Sequence, residues 1–166
     1  MAIPKMIHYC WISDEPVEAF PELIKNCHNS WGKVMPDYEI IRWDTERFDV
    51  SSCVYTAEAF KHKKYAFVSD YIRLYALYHY GGIYLDRDVE VVKRFDPLLN
   101  HKAFTGFGNK YSVATWLMAS EKDNPLFEKL LKYYDGIHFE KDDGTIDLTP
   151  NPISITKLLI QESVIN

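Results

Sequence analysis

Cysteine is scarce in this chain of 166 residues: Cys10, Cys27 and Cys53 are the only three. They are odd in number, far apart and form no Cys-x-x-Cys pair, which argues against both a disulfide framework and a zinc site. A reducing, cytoplasmic setting is expected. Long apolar runs are missing as well. No stretch approaches the roughly 18 residues of a membrane span. The opening MAIPKMIHYCWIS carries Pro4, Lys5 and His8 among its apolar residues, too short and too polar for a signal peptide. Any membrane association is expected to be peripheral, at the inner face. There is no excess of basic charge either. Lysine and arginine number 19 against 24 acids, a net charge of −5. That disfavours nonspecific nucleic-acid binding, but leaves room for one anionic small molecule carried by a metal ion. Repeats, linkers and low-complexity tracts are absent.

The composition is that of a globular protein, with 47% hydrophobic residues. One domain over residues 1–166 is expected, large enough to bury roughly 70% of its unfolded surface. Aromatic residues make up 15%; they fill cores, and they also stack on sugars and bases. Along the chain, Ile3 to Ile12 reads as a first strand and Pro21 to Trp31 as a helix closed by Gly32. Tyr38 to Trp43 reads as a second strand and Thr56 to Lys61 as a short helix. The cluster Lys61 to Lys64 reads as solvated surface. Tyr65 to Tyr80 is the clearest helix, ended by Gly81-Gly82. Strands are expected at Ile83 to Leu85, Ala103 to Phe107 and Thr115 to Ala119, with extended chain resuming at Val89 to Val92. Asn124-Pro125 opens a helix to about Tyr134. Phe139 to Asn151 reads as a loop, and Pro152 to Glu162 as a last helix. The alternation of strands and helices predicts an α/β domain.

The stretch GGIYLDRDV, Gly81 to Val89, interrupts an apparently buried strand with two carboxylates. On an extended chain Asp86 and Asp88 would project together and Arg87 would face away. Two desolvated acids repel, and a divalent cation such as Mg²⁺ or Mn²⁺ offsets that cost while keeping positions open for phosphate oxygens. A bare Asp-x-Asp is more often a solvated turn. Here the preceding Gly-Gly and the buried strand favour the metal reading.

These residues resemble the DxD segment of glycosyltransferases of GT-A fold, in the family whose sugar-binding region contains a DxD motif; fungal mannosyltransferases, capsular polysaccharide enzymes and, distantly, clostridial toxin glucosyltransferase domains are relatives. Two further segments carry the resemblance, IPKMIHYCWIS and VSDYIRLYALYHYGG. The resemblance implies a Rossmann-like mixed sheet flanked by helices that binds a nucleotide-sugar, with a UDP-hexose favoured over GDP-mannose. It implies that Trp11, beside Ile12, stacks on the base, that Ser69, Asp70 and Arg73 surround the sugar and ribose, and that Tyr84 lies beside the nucleotide. Asp86 matches the acid that contacts ribose or metal-bound water, and Asp88 the direct ligand of Mn²⁺ or Mg²⁺. Asp70 and Arg73 are three apart on a helix, so they share a face and could equally form an ion pair. His8 and His79 are expected to be structural. The implied reaction is retaining, metal-dependent transfer of a hexose to a glycan or lipid-linked acceptor of surface polysaccharide synthesis.

Two departures stand out: Arg87 replaces the small central residue, and no Trp follows Trp116 and no His follows His138. The chain is therefore expected to lack the C-terminal segment that closes the site in this family. That keeps a second reading open, a nucleotide-sugar binding module without catalysis. Phosphohydrolases of the haloacid dehalogenase class also place Asp-x-Asp after a strand. They use the first strand and a Thr or Val two residues on, where this chain has Glu90 in a mid-chain motif.

Overall fold

The computed structural model describes residues 2–13, 16 and 19–165. Five strands form one mixed sheet: β1 (Met6–Cys10), β2 (Glu39–Trp43), β3 (Gly82–Leu85), β4 (Ala103–Asn109) and β5 (Ser112–Ser120). Their order is β2-β1-β3-β5-β4. β1 pairs in parallel with β2 and β3, and β5 runs antiparallel to both β3 and β4. The helices are α1 (Glu22–Val34), α2 (Val54–Lys61), α3 (Tyr65–Tyr80), α4 (Pro125–Asp135) and α5 (Asn151–Gln161). None among the described residues is long and apolar enough to cross a membrane.

The two faces of the sheet can be read from strand alternation. Ile7 and Tyr9 of β1 and Ile83 and Leu85 of β3 share one core with Trp31 of α1. Cys10 and Tyr84 point the other way, into a larger core with Leu74 and Leu77 of α3 and Leu130 of α4. α3 is buried on most of its circumference, as expected of a helix held between a sheet and further helices. α4 shows the local code plainly. The Asn124 side chain accepts the Leu126 N–H at 3.0 Å, Pro125 occupies the first turn, and Phe127, Leu130, Leu131 and Tyr134 form the buried face.

Gly81 and Gly82 do more than stop a helix. Both have positive φ, 69° and 110°. A Cβ on Gly81 would lie 2.8 Å from the Lys122 backbone nitrogen, and one on Gly82 would lie 2.8 Å from the Met6 carbonyl oxygen. The paired glycines let α3 turn at once into β3 against β1.

Two expectations are corrected. Gly32 does not close α1; it lies inside the helix, which runs on to Val34. β1 covers only the centre of Ile3 to Ile12. Val89 to Val92, expected as extended chain, joins no strand of the sheet. Its polar backbone is taken by side chains of α1 instead: the Trp31 indole N–H donates to the Val89 carbonyl at 2.7 Å, and the Val91 N–H donates to Ser30 Oγ at 2.8 Å. Lys61, Lys63 and Lys64 are exposed as expected, with Lys61 and His62 paired to Glu140.

Candidate functional site

β1 and β3 are parallel neighbours, so their carboxyl ends open side by side, where ligands settle on α/β sheets. Trp11 and Ile12 follow β1 and the Asp86–Asp88 segment follows β3. The N-terminal half of α3 lies across them. Together they enclose a cleft of about 270 Å³. Seven of the eight expected site residues line it: Ile12, Ser69, Asp70, Arg73, Tyr84, Asp86 and Asp88.

Asp86 and Asp88 reach the cleft by a route other than extended chain. The Val89 N–H donates to the Asp86 carbonyl at 3.1 Å, closing a tight turn over Asp86 to Val89. Alternation through Tyr84 carries Asp86 to the α3 side of the sheet. The turn then re-aims Asp88, which is exposed. Arg87 does not face away. It lines the same cleft and sets its guanidinium 4.4 Å from the centre of the Trp11 ring. Trp11 itself is 9% exposed and meets Phe20 edge-on at 4.4 Å, so it borders the cleft beneath Arg87 and is not among the residues that line it.

Arg73 organises the floor. It is 5% exposed, and its N–H groups go to protein: to the Thr115 carbonyl at 2.6 Å, to the Ser69 carbonyl at 3.4 Å, to Asp70 at 3.0 Å and to Asp86 at 3.4 Å. Its guanidinium carbon lies 4.8 Å from the Tyr84 ring centre. The Asp70–Arg73 pair does form, and it is buried. An exposed pair at this spacing contributes about 0.2–0.5 kcal/mol, whereas stripping one partner from a buried pair costs about 3–5 kcal/mol. Burial pushes the Asp70 carboxyl up to about 6, against the pull of Arg73 and with a further push from Asp86. Ser69 is held in the helix by donating to the Tyr65 carbonyl at 3.1 Å. Tyr84 is 1% exposed, and burial raises its phenol well above the ordinary value.

Cys10, Tyr65, Ala66 and Arg87 also line the cleft, and sequence reasoning did not assign them there. The placement of Cys10 and Tyr65 follows from simple periodicities. Cys10 ends the strand alternation that begins at His8, and Tyr65 sits one turn before Ser69, which sits one turn before Arg73. Burial holds the Cys10 thiol up at about 12, so it stays protonated.

Among the described residues the cleft holds three aspartates against two arginines, a net charge of −1. Among the described residues no three His, Cys, Asp or Glu side chains cluster to hold a metal by themselves. Two carboxylates on a turn fit a different arrangement, a hard cation shared between protein oxygens and substrate phosphates. Asp88, exposed and without an arginine partner at salt-bridge distance among the described residues, is the better-placed donor; Asp86 already faces Arg73.

The model of the glycosyltransferase sugar-binding region containing a DXD motif matches residues 21–105. The chain belongs to that family. The matched region takes in α1 through the start of β4, including α3 and the Asp86–Asp88 turn; Trp11 and Ile12 lie outside it. The chain is 32% identical over 144 residues to mannosyl phosphorylinositol ceramide synthase SUR1 of Saccharomyces cerevisiae, covering 82% of this chain and 37% of that protein. It is 30% identical over 135 residues to inositol phosphoceramide mannosyltransferase 3 of Schizosaccharomyces pombe, covering 79% of this chain and 37% of the relative. It thus spans little more than a third of the length of these relatives. Among solved structures, the PaToxG glycosyltransferase superposes with a TM-score of 0.68 at 23% identity, over 96% of this chain and 69% of that one. The fold is that of a glycosyltransferase, in keeping with the GT-A architecture expected from the sequence.

Proposed function

We propose that this chain binds a nucleoside-diphosphate hexose in the cleft between α3 and the ends of β1 and β3, and transfers the hexose with retention to a polyol acceptor. The observation that carries the reading is the convergence of Asp70, Arg73, Asp86 and Asp88 on one cleft in a member of this family. The names of the relatives favour a mannose donor and a glycolipid acceptor. They lend no support to the UDP-linked donor or the capsular setting that the sequence resemblance first suggested.

Asp88, with Asp86, would hold Mn²⁺ or Mg²⁺ together with the donor. When bound, that ion supplies positive charge to the departing nucleoside diphosphate. The rest falls to the protein. Arg73 fixes Asp86 and Asp70 in place through contacts that reach to Thr115 on β5, so the acids are preorganised before ligand arrives. Asp70, ionised above about pH 6, accepts hydrogen bonds from sugar hydroxyls at the cleft floor. Arg87 leaves the Trp11 ring to meet the diphosphate, and the ring is freed for the base.

The test is calorimetric titration with GDP-mannose and UDP-glucose in Mn²⁺, with release of free nucleoside diphosphate followed in parallel. Binding of one donor with nucleotide release supports the transferase reading. Binding without release supports a binding module, and absence of binding for both contradicts the assignment of the cleft.

A further inference from the structure

Tryptophan is distributed unevenly between core and surface. Trp11, Trp31 and Trp43 are 9%, 0% and 1% exposed, whereas Trp116 is 43% exposed. Trp116 is also the one exposed position in β5, where every other residue is buried or half-buried. Its place is fixed by the main chain: the Asp86 N–H donates to the Trp116 carbonyl at 2.9 Å, so the residue sits beside the Asp86–Asp88 turn. There it lines an open cleft of about 450 Å³ with Asp86, Asp88, Val89 and Glu90. The volume is in the range of small-molecule sites. This cleft shares Asp86 and Asp88 with the first one, and its other walls are different.

We propose that this second cleft binds an uncharged, polyhydroxylated six-membered ring, a pyranose or a cyclitol, stacked on Trp116 with its hydroxyls directed to Glu90 and Asp88. The chemistry selects that ligand in two steps. An indole face offers a flat apolar platform with which the C–H face of such a ring makes contact, while carboxylates at its edge accept hydrogen bonds from hydroxyls. Among the described residues no basic side chain lines the cleft, so the ring, and not an attached phosphate, is what it receives. Resting on the reading of the first cleft as the donor site, the ring is the acceptor: the two clefts meet at the same two aspartates, which brings an acceptor hydroxyl beside the donor.

Ligand-observed NMR on the whole chain tests this with methyl α-mannopyranoside and myo-inositol as ring probes and glycerol as an acyclic control. The proteins are the wild type, Trp116→Ala and Trp116→Phe, each also titrated with nucleotide and Mn²⁺. Ring probes should bind the wild type, bind Trp116→Ala about tenfold more weakly, and bind Trp116→Phe within about threefold of the wild type. Nucleotide binding should be the same in all three. The preferred probe identifies the ring as sugar or cyclitol. Ring probes that ignore the wild type, bind no better than glycerol, or bind Trp116→Ala as well as the wild type would overturn the proposal. Ring binding that depends on Trp116 in a protein that binds no nucleotide would support the ring site and remove the donor reading alone.

Discussion

Arg73 has the costliest side chain in the site to replace, because its fork serves α3, β5 and the Asp86 turn at once. Arg73→Ala would leave Asp70 buried without its counter-charge, and a loss of about 3–5 kcal/mol in urea denaturation is expected. Arg73→Lys keeps the charge but has no planar fork, so it should fall between the two. Asp70 makes a second prediction, in pH. Its carboxyl is raised from an ordinary value near 3.8 to about 6. The folded protein therefore takes up this proton before the unfolded chain does. The contribution to stability is full below about pH 4 and is lost as pH rises through 6. The wild type should thus gain on Asp70→Asn by on the order of 2 kcal/mol as pH falls from 6 to 4, measured as the difference of denaturation midpoints. His8 works in the opposite sense. The Trp43 indole N–H donates to His8 Nδ1 at 3.1 Å, so the proton sits on Nε2, which bonds the Gly81 carbonyl at 2.8 Å. Burial lowers His8 to about 4, and its contribution is lost as pH falls toward that value. Comparing wild type with Asp70→Asn cancels His8 and isolates the aspartate.

Among the elements, two glycines separate a structural need from a sequence habit. Gly32 is exposed within α1 and a Cβ there meets nothing within 4 Å. Gly32→Ala should stabilise the protein by about 0.4–1 kcal/mol. Gly82→Ala meets positive φ and the Met6 carbonyl together, and should destabilise by more than about 1 kcal/mol; thermal melts of both variants give the signs. Gly32 misleads as a helix terminus because glycine is only a preference at that position, and the buried stripe of Ile24, Cys27 and Trp31 carries the helix past it. The helices and strands that bury a clear apolar face, α3 and α4 above all, are legible from periodicity. The Asp86–Asp88 turn is not. Local sequence allows either extended chain or a turn there, although Asp is common at a turn's first position. The chain that follows it is held by distant residues: Trp31 and Ser30 of α1 take the Val89 and Val91 backbone groups that a strand would have paired. The cationic contact between Arg87 and Trp11 likewise depends on two strand ends that only the sheet brings together.

At the scale of the molecule, the topology explains why the site lies where it does. The connection from β1 to β2 runs through α1, in the core on one face; the return from β2 to β3 runs through α2 and α3, in the core on the other. The crossing leaves the carboxyl ends of β1 and β3 adjacent, with α3 over them and β5 alongside. Motifs separated by some 75 residues in sequence thereby form one acidic cleft in a chain whose net charge is −5. On the proposed reading, a cation held by the exposed Asp88 lets a diphosphate enter such a cleft. The most direct measurement is a thermal-shift titration with GDP-mannose and with UDP-glucose, each with and without Mn²⁺, on the wild type and Asp88→Asn. A nucleotide-dependent rise in melting temperature that requires Mn²⁺ and disappears in Asp88→Asn is predicted. An equal rise in Asp88→Asn, or one indifferent to Mn²⁺, would contradict the role of the turn.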